Sequence, residues 1–248
     1  MHPPPPLARA RRRAVLLASA AALAFCGLAG PVQAQAWPSK PIRLVVGFPP
    51  GGGIDAVARN LQPGLQEALG QQVIVEYKPG AGGVLAAGEL TRAPADGYTI
   101  LVANIGPFVL VPNMVSKKPY DPQKDFAPVA KLALNEFVLI AAPSTGVRSY
   151  ADFVAFVKAQ AGKATYASAG NGSPNHVFME ELLLKIGGSM LHVPYRGGAA
   201  AVTGVLGDQA QFMLAGIAPA LGFIQSGKLN AVAVTQGHQD AEAAIETG

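Results

Sequence analysis

This sequence predicts an α/β fold with largely parallel sheets, and three observations predict it. Short apolar runs alternate with segments of helical period; glycine-rich turns separate them; and a strand, Gly-rich loop and helix junction occurs once in each half of the chain. Ile42 to Phe48 reads as a buried strand. Ala56 to Leu69 follows as a helix, with Val57, Leu61, Leu65 and Leu69 at helical spacing and Gly70 placed to end it. Val73 to Glu76 is a second strand, followed by the loop Lys78 to Gly83 and a helix to about Arg92. Tyr98 to Ala103 is a third strand, and residues 113–125 are polar and Pro-rich, with turn chemistry at Tyr120-Asp121-Pro122. Phe137 to Ala142 is the next apolar strand and leaves the first domain. Ser149 to Gln160 is an amphipathic helix, Thr165 to Ser168 a short strand, and Asn175 to Ile186 a helix beyond a second Gly-rich loop. Helices over Ala199–Leu206 and Pro219–Gln225 then alternate with strands over Gln211–Leu214 and Leu229–Val234.

The first junction, PIRLVVGFPPGGGID over Pro41 to Asp55, suits an anion, because three glycines precede a helix whose first N–H groups lack intrahelical partners. No lysine followed by serine or threonine comes after the glycines, so the nucleotide phosphate loop is absent. A small carboxylate held by backbone amides is one reading, and a plain tight turn of an α/β fold is the other.

Residues 1–34 read as an export signal: Arg9, Arg11, Arg12 and Arg13 precede the Ala/Leu-rich run Ala14 to Leu28, and Val32-Gln33-Ala34 supplies small residues for cleavage. That run, about 15 residues, is shorter than a membrane span needs. Arg12-Arg13 leaves both general and twin-arginine export open. Cys26 sits behind Phe25, where lipidation wants a small residue. The chain has 19 Lys+Arg and 15 Asp+Glu; removing the signal's four arginines leaves 15 against 15. A neutral mature chain has no electrostatic footprint for nucleic acid, and with its lone cysteine in the signal it has no disulfide.

If the two Gly-rich junctions face each other, their loops open onto one cleft at the carboxyl ends of the strands, as in a hinge-closing solute receptor. Trp37 to Leu69, KPGAGG at Lys78–Gly83, DGYT at Asp96–Thr99, YDPQKDFAPV at Tyr120–Val129, ASAGNGSPNH at Ala167–His176, HVPYRGGAAAV at His192–Val202 and GKLNAVAVT at Gly227–Thr235 resemble the Bug or TctC-type receptors of tripartite tricarboxylate transporters. The resemblance implies a two-domain, Venus-flytrap-like periplasmic binding protein, with domain 1 over 35–140, domain 2 over 141–234 and an atypical tail over 235–248. It also implies that the C-terminal part of the first domain is missing. A shortened chain of that kind exposes apolar surface and unpaired edges, and a non-functional receptor is then an alternative.

The same resemblance implies a site. Phe48, Pro49, Pro50, Gly51, Gly52 and Gly53 form a first jaw, and Ser168, Ala169, Gly170, Asn171, Gly172 and Ser173, with His176, form a second. Gly51, Gly52, Gly170 and Gly172 let the backbone approach a carboxylate. Asp55 caps its helix and stiffens the loop; Asn104 and Gly106 line the cleft; Tyr195 and Arg196 either line it or pack at its rim. Ser173 caps the following helix, meets the ligand, or does both. His176 is a ligand-facing donor or a satisfied buried histidine. The implied partners are a small carboxylate and the membrane permease subunits, with a monomeric, periplasmic receptor and no cofactor. Ala215-Gly216 stands where such receptors often carry an acid, which favours a ligand without a positive charge.

The rival class is a hydrolase using Ser173 and His176. Asn171 and Asn175 occupy the positions where the elbow G-x-S-x-G needs glycine, and no acid is marked to orient the histidine. Beyond residue 34 the histidines are His176, His192 and His238, with no HExxH and no cysteine, so no metal site is expected.

Overall fold

The computed structural model describes residues 36–235. The expected export signal and all of the tail after Thr235 lie outside the described residues. The chain divides into a unit ending at Ser39 and a second unit beginning at Lys40, and the fold below is that of the second.

Its first sheet has three parallel strands in the order β2-β1-β3: β1 Ile42–Val46, β2 Val73–Tyr77 and β3 Thr99–Val102. β1 lies in the middle and is buried throughout except at Arg43. A charged residue fits there because the Arg43 guanidinium meets Glu76 on β2 at 2.7 and 2.9 Å and Glu89 on the adjoining helix at 2.7 Å. On the opposite face Ile42, Leu44 and Val46 pack with Val73, Val102 and Ala58. Helix α1, Gly53–Leu69, supplies Ala58 and stops at Gly70, which takes a left-handed conformation and donates to the Gln66 carbonyl. A 3₁₀ turn at Ala81–Gly83 leads into α2, Val84–Leu90. After β3 a π-helical turn, Gly106–Leu110, runs into the short α3, Val111–Met114.

Between α3 and the next strand, residues 126–136 form no helix or strand, and Val129, Leu132 and Leu134 are exposed. The outer edge of β3 has no paired strand among the described residues.

The second sheet has five strands in the order β6-β5-β7-β4-β8: β4 Phe137–Ala141, β5 Thr165–Ser168, β6 Leu191–Pro194, β7 Phe212–Gly216 and β8 Asn230–Val234. β5 runs parallel to β6 and β7, whereas β4 is antiparallel to both β7 and β8. The expectation of largely parallel sheets therefore needs correcting at β4. The strand enters this sheet from the other one and lies between β7 and β8, running opposite to both. An expected domain boundary at residue 140 falls inside β4, all of whose residues pair in the five-stranded sheet.

β4 is apolar at every position because both of its faces are covered. Val138 and Ile140 pack with Ala167, Met213 and Ala215 under α6 Gly198–Leu206 and α7 Ile217–Gln225. Phe137, Leu139 and Ala141 pack with Tyr166, Phe212 and Leu214 under α4 Tyr150–Gln160 and α5 Pro174–Ile186.

Candidate functional site

The carboxyl ends of the two sheets meet. A Cβ built on Gly82, in the turn before α2, would lie 3.2 Å from the Gly172 backbone, and one on Gly106 would lie 2.8 Å from the Gly82 carbonyl oxygen. On the other side a Cβ on Gly197 would be 3.0 Å from Pro49, and one on Gly51 would be 3.3 Å from Ala199. The first expected jaw therefore meets the turn before α6 and the second meets the turn before α2, leaving a crevice bordered by Gly53 and Pro174. At Gly82 and Gly106 the approach is to backbone atoms and at Gly51 and Gly197 to the side chains of Ala199 and Pro49, and Gly51, Gly82 and Gly197 also hold left-handed φ values of 86°, 63° and 108° that favour glycine.

Four helices begin around this crevice: α1 after Gly52, α5 after Ser173, α6 after Gly197 and α7 after Gly216, and none has a side-chain cap. The contrast is α4, where Ser149 and Asp152 make a reciprocal capping box. Ser173 was a candidate cap, and the structure corrects this: its hydroxyl makes no capping bond. It is fully buried and, among the described residues, is the buried side-chain polar atom with no hydrogen-bond partner. An orphaned buried hydroxyl costs about 1–3 kcal/mol. At an uncapped helix start, where the macrodipole is positive, that cost marks a place for an acceptor.

The glycine amides are less available than expected. Gly51 N–H donates to the Asp55 carboxylate (2.8 Å), Gly170 N–H to Ser168 Oγ (3.1 Å), and Gly172 N–H to His176 Nδ1 (3.3 Å). The first two N–H groups of the jaw helix, Gly53 and Ile54, and that of Gly52 have no intrahelical partner by geometry. The buried Asp55 carboxylate also accepts from the Tyr77 hydroxyl (2.5 Å) and Arg59 (2.9 Å), which ties it to the loop and the neighbouring strand. Burial works to raise this carboxyl, but the hydrogen bonds from Gly51, Tyr77 and Arg59 outweigh it and hold it below the usual aspartate range.

Tyr195 packs its ring over Gly204 and points its hydroxyl toward Gln209, so it supports α6 and does not enter the crevice. Arg196 is exposed beside it. Asn104 Oδ1 accepts from Gly106 N–H (2.9 Å), and Asn104 also borders a cavity of about 450 Å³ that opens beside the jaws. The first turn of α1, Asn135, Phe137, Pro174 and Phe178 wall that cavity. Phe48, Pro49, Pro50, Ala169 and Asn171 carry the loops, with Asn171 at an exposed tip.

No nucleophile and base pair forms at Ser173 and His176, because the hydroxyl is unpartnered and His176 Nδ1 accepts from Gly172. The serine and histidine that do meet are Ser168 and His192, at 2.6 Å, with Ser168 fully buried. Sequence reasoning missed this pair, and also Gly82, Asn135 and the Gly197–Ala199 turn. The KPGAGG and RGGA motifs were the available signals for two of them.

The chain matches the family model described as the tripartite tricarboxylate transporter family receptor over residues 57–247. That range runs into the tail read above as departing from the family. The chain is 34% identical over 213 residues to protein BugT of Bordetella pertussis, covering 86% of this chain and 65% of that protein. It is 39% identical over 214 residues to the UPF0065 protein in the gbd 5' region of Cupriavidus necator, covering 85% and 64%. It therefore spans about two thirds of the length of these curated relatives. Among solved structures it resembles MatC of Rhodopseudomonas palustris with bound malate, with a TM-score of 0.78 and 28% identity over 84% of this chain and 71% of that one. These matches identify a family of receptors and not of enzymes, and the chain belongs to the tripartite tricarboxylate transporter receptor family.

Proposed function

We propose that this chain is a periplasmic solute receptor that binds a small carboxylate as a monomer and delivers it to the permease of a tripartite transporter. The observation that carries the reading is the buried, unpartnered Ser173 hydroxyl at an uncapped helix start whose Pro174 borders the same cavity as Gly53 and Ile54 at the uncapped start of α1. Such a pair supplies N–H and O–H donors and two positive dipole ends without a full cation. Charge-assisted hydrogen bonds contribute on the order of 1.5–3 kcal/mol each, so three or four support micromolar binding after ordering costs. The malate held by the MatC relative is of this chemical class. Ala215 is buried at the end of β7, and neither it nor Gly216 offers a carboxylate to an ammonium group, which favours a ligand without an amino group.

Titration calorimetry of the purified chain against malate, succinate, adipate, citrate and aspartate tests the proposal. The expected result is micromolar binding of at least one acid without an amino group, weakened at least tenfold by Gly52→Pro, which deletes a jaw N–H. Absence of binding across the panel, or binding indifferent to Gly52→Pro and Ser173→Ala together, refutes it.

A further inference from the structure

Beneath the loop of the second jaw lies a stack of aromatic rings that includes His176. β5 pairs with β6 so that Tyr166 stands opposite His192 on one face of the sheet. α5 crosses that face and places His176 and Glu180, one helical turn apart, above them. The His192 ring stacks on Tyr166 at 4.9 Å and 20°, and the His176 ring stacks on His192 at 4.1 Å and 16°. The Tyr166 hydroxyl donates to the Glu180 carboxylate. Each imidazole then reaches the jaw loop. His176 Nδ1 accepts from Gly172 N–H, and His192 Nε2 meets the Ser168 hydroxyl that in turn accepts from Gly170 N–H.

We propose that His176 and His192 are positioning residues of the second jaw, whose stacked rings fix the turn over residues 168–173 and thereby aim the Ser173 hydroxyl. Acceptance by His176 Nδ1 requires that nitrogen to be unprotonated. Burial, and next the adjoining His176 ring, push His192 down to about 4, while Glu180 acts in the opposite sense. The rings are held by packing: His192 is gripped between Tyr166 and His176, so its hydrogen bond to Ser168 is directed and not adventitious.

The affinity readout rests on the carboxylate reading above, and a second readout does not. Four variants are compared at pH 7.5. His176→Phe and His192→Phe keep a flat ring without the nitrogen, whereas His176→Asn and His192→Gln set an amide group where Nδ1 or Nε2 stood. Malate affinity is expected to fall about tenfold in each phenylalanine variant and to return to within about threefold of the parent in the amide variants. In the ligand-free protein, hydrogen exchange at the Gly172 amide is expected to speed up about tenfold in His176→Phe and not in His176→Asn. Equal affinity in all variants, or equal loss in the phenylalanine and amide variants, overturns the proposal. Should the parent bind no carboxylate, the function is wrong and the exchange data decide alone: unchanged Gly172 protection in His176→Phe overturns the positioning role.

Discussion

Replacing Ser173 by alanine separates stability from binding, because the structure assigns the two effects opposite signs. The hydroxyl is buried without a partner, so deleting it removes an unmet desolvation cost while the methylene stays in place. Taking the lower part of the range of about 1–3 kcal/mol for such a group gives a gain of about 1 kcal/mol in the empty protein. For a chain of this size that raises Tm by about 2–4 °C. If, as proposed, the same hydroxyl donates to a bound carboxylate, its loss costs about 1.5–3 kcal/mol, or roughly 10- to 150-fold in Kd. Scanning calorimetry with and without malate reads both quantities on one sample. A drop in Tm of the empty Ser173→Ala protein means the serine caps α5 after all, and unchanged malate affinity means the hydroxyl faces no ligand; either result refutes the reasoning.

The low pKa of His192 makes stability depend on pH. Its folded value, about 4, lies below the ordinary 6.5, so its contribution is complete above pH 6.5 and is lost as pH falls toward 4. Urea titrations at pH 7 and pH 4.5 should show a loss of up to about 2–3 kcal/mol that is absent in His192→Gln. Asp55→Ala leaves Gly51 N–H and the Tyr77 hydroxyl without their acceptor and should cost about 2–3 kcal/mol in the same assay. Gly82→Ala puts a methyl against the Gly172 backbone at a left-handed φ, so it should cost about 1–3 kcal/mol and widen the crevice, measured by urea titration and small-angle scattering. Val129→Lys, at a position 86% exposed, should change stability by less than about 0.5 kcal/mol.

Much of the fold was legible because local chemistry and tertiary role agree. β1 is a continuous apolar run because it is central; Gly70 stops α1 because its φ is left-handed; Ser149 opens α4 because Asp152 reciprocates. β6 was not legible, since it is an edge strand of half-exposed residues ending in Pro194. The helical turns over 106–114 were hidden by Pro107 and Pro112, which read as breakers yet sit at first-turn positions where no N–H is needed. The antiparallel setting of β4 depends on the route of the chain between sheets, which periodicity does not carry. At the site the glycines were legible, but their hydrogen bonds were not: the partners Asp55, Ser168 and His176 follow from side-chain directions, and the stack of His176, His192 and Tyr166 joins residues from three elements. The absence of a cap at Ser173 is likewise a matter of rotamer, which sequence spacing cannot specify.

Because the amides of Gly51, Gly170 and Gly172 already have partners within the protein, both loops hold their shape before any solute arrives. Little chain entropy is then left to lose on capture. A carboxylate captured as proposed would then bind at a rate set by encounter and not by loop ordering.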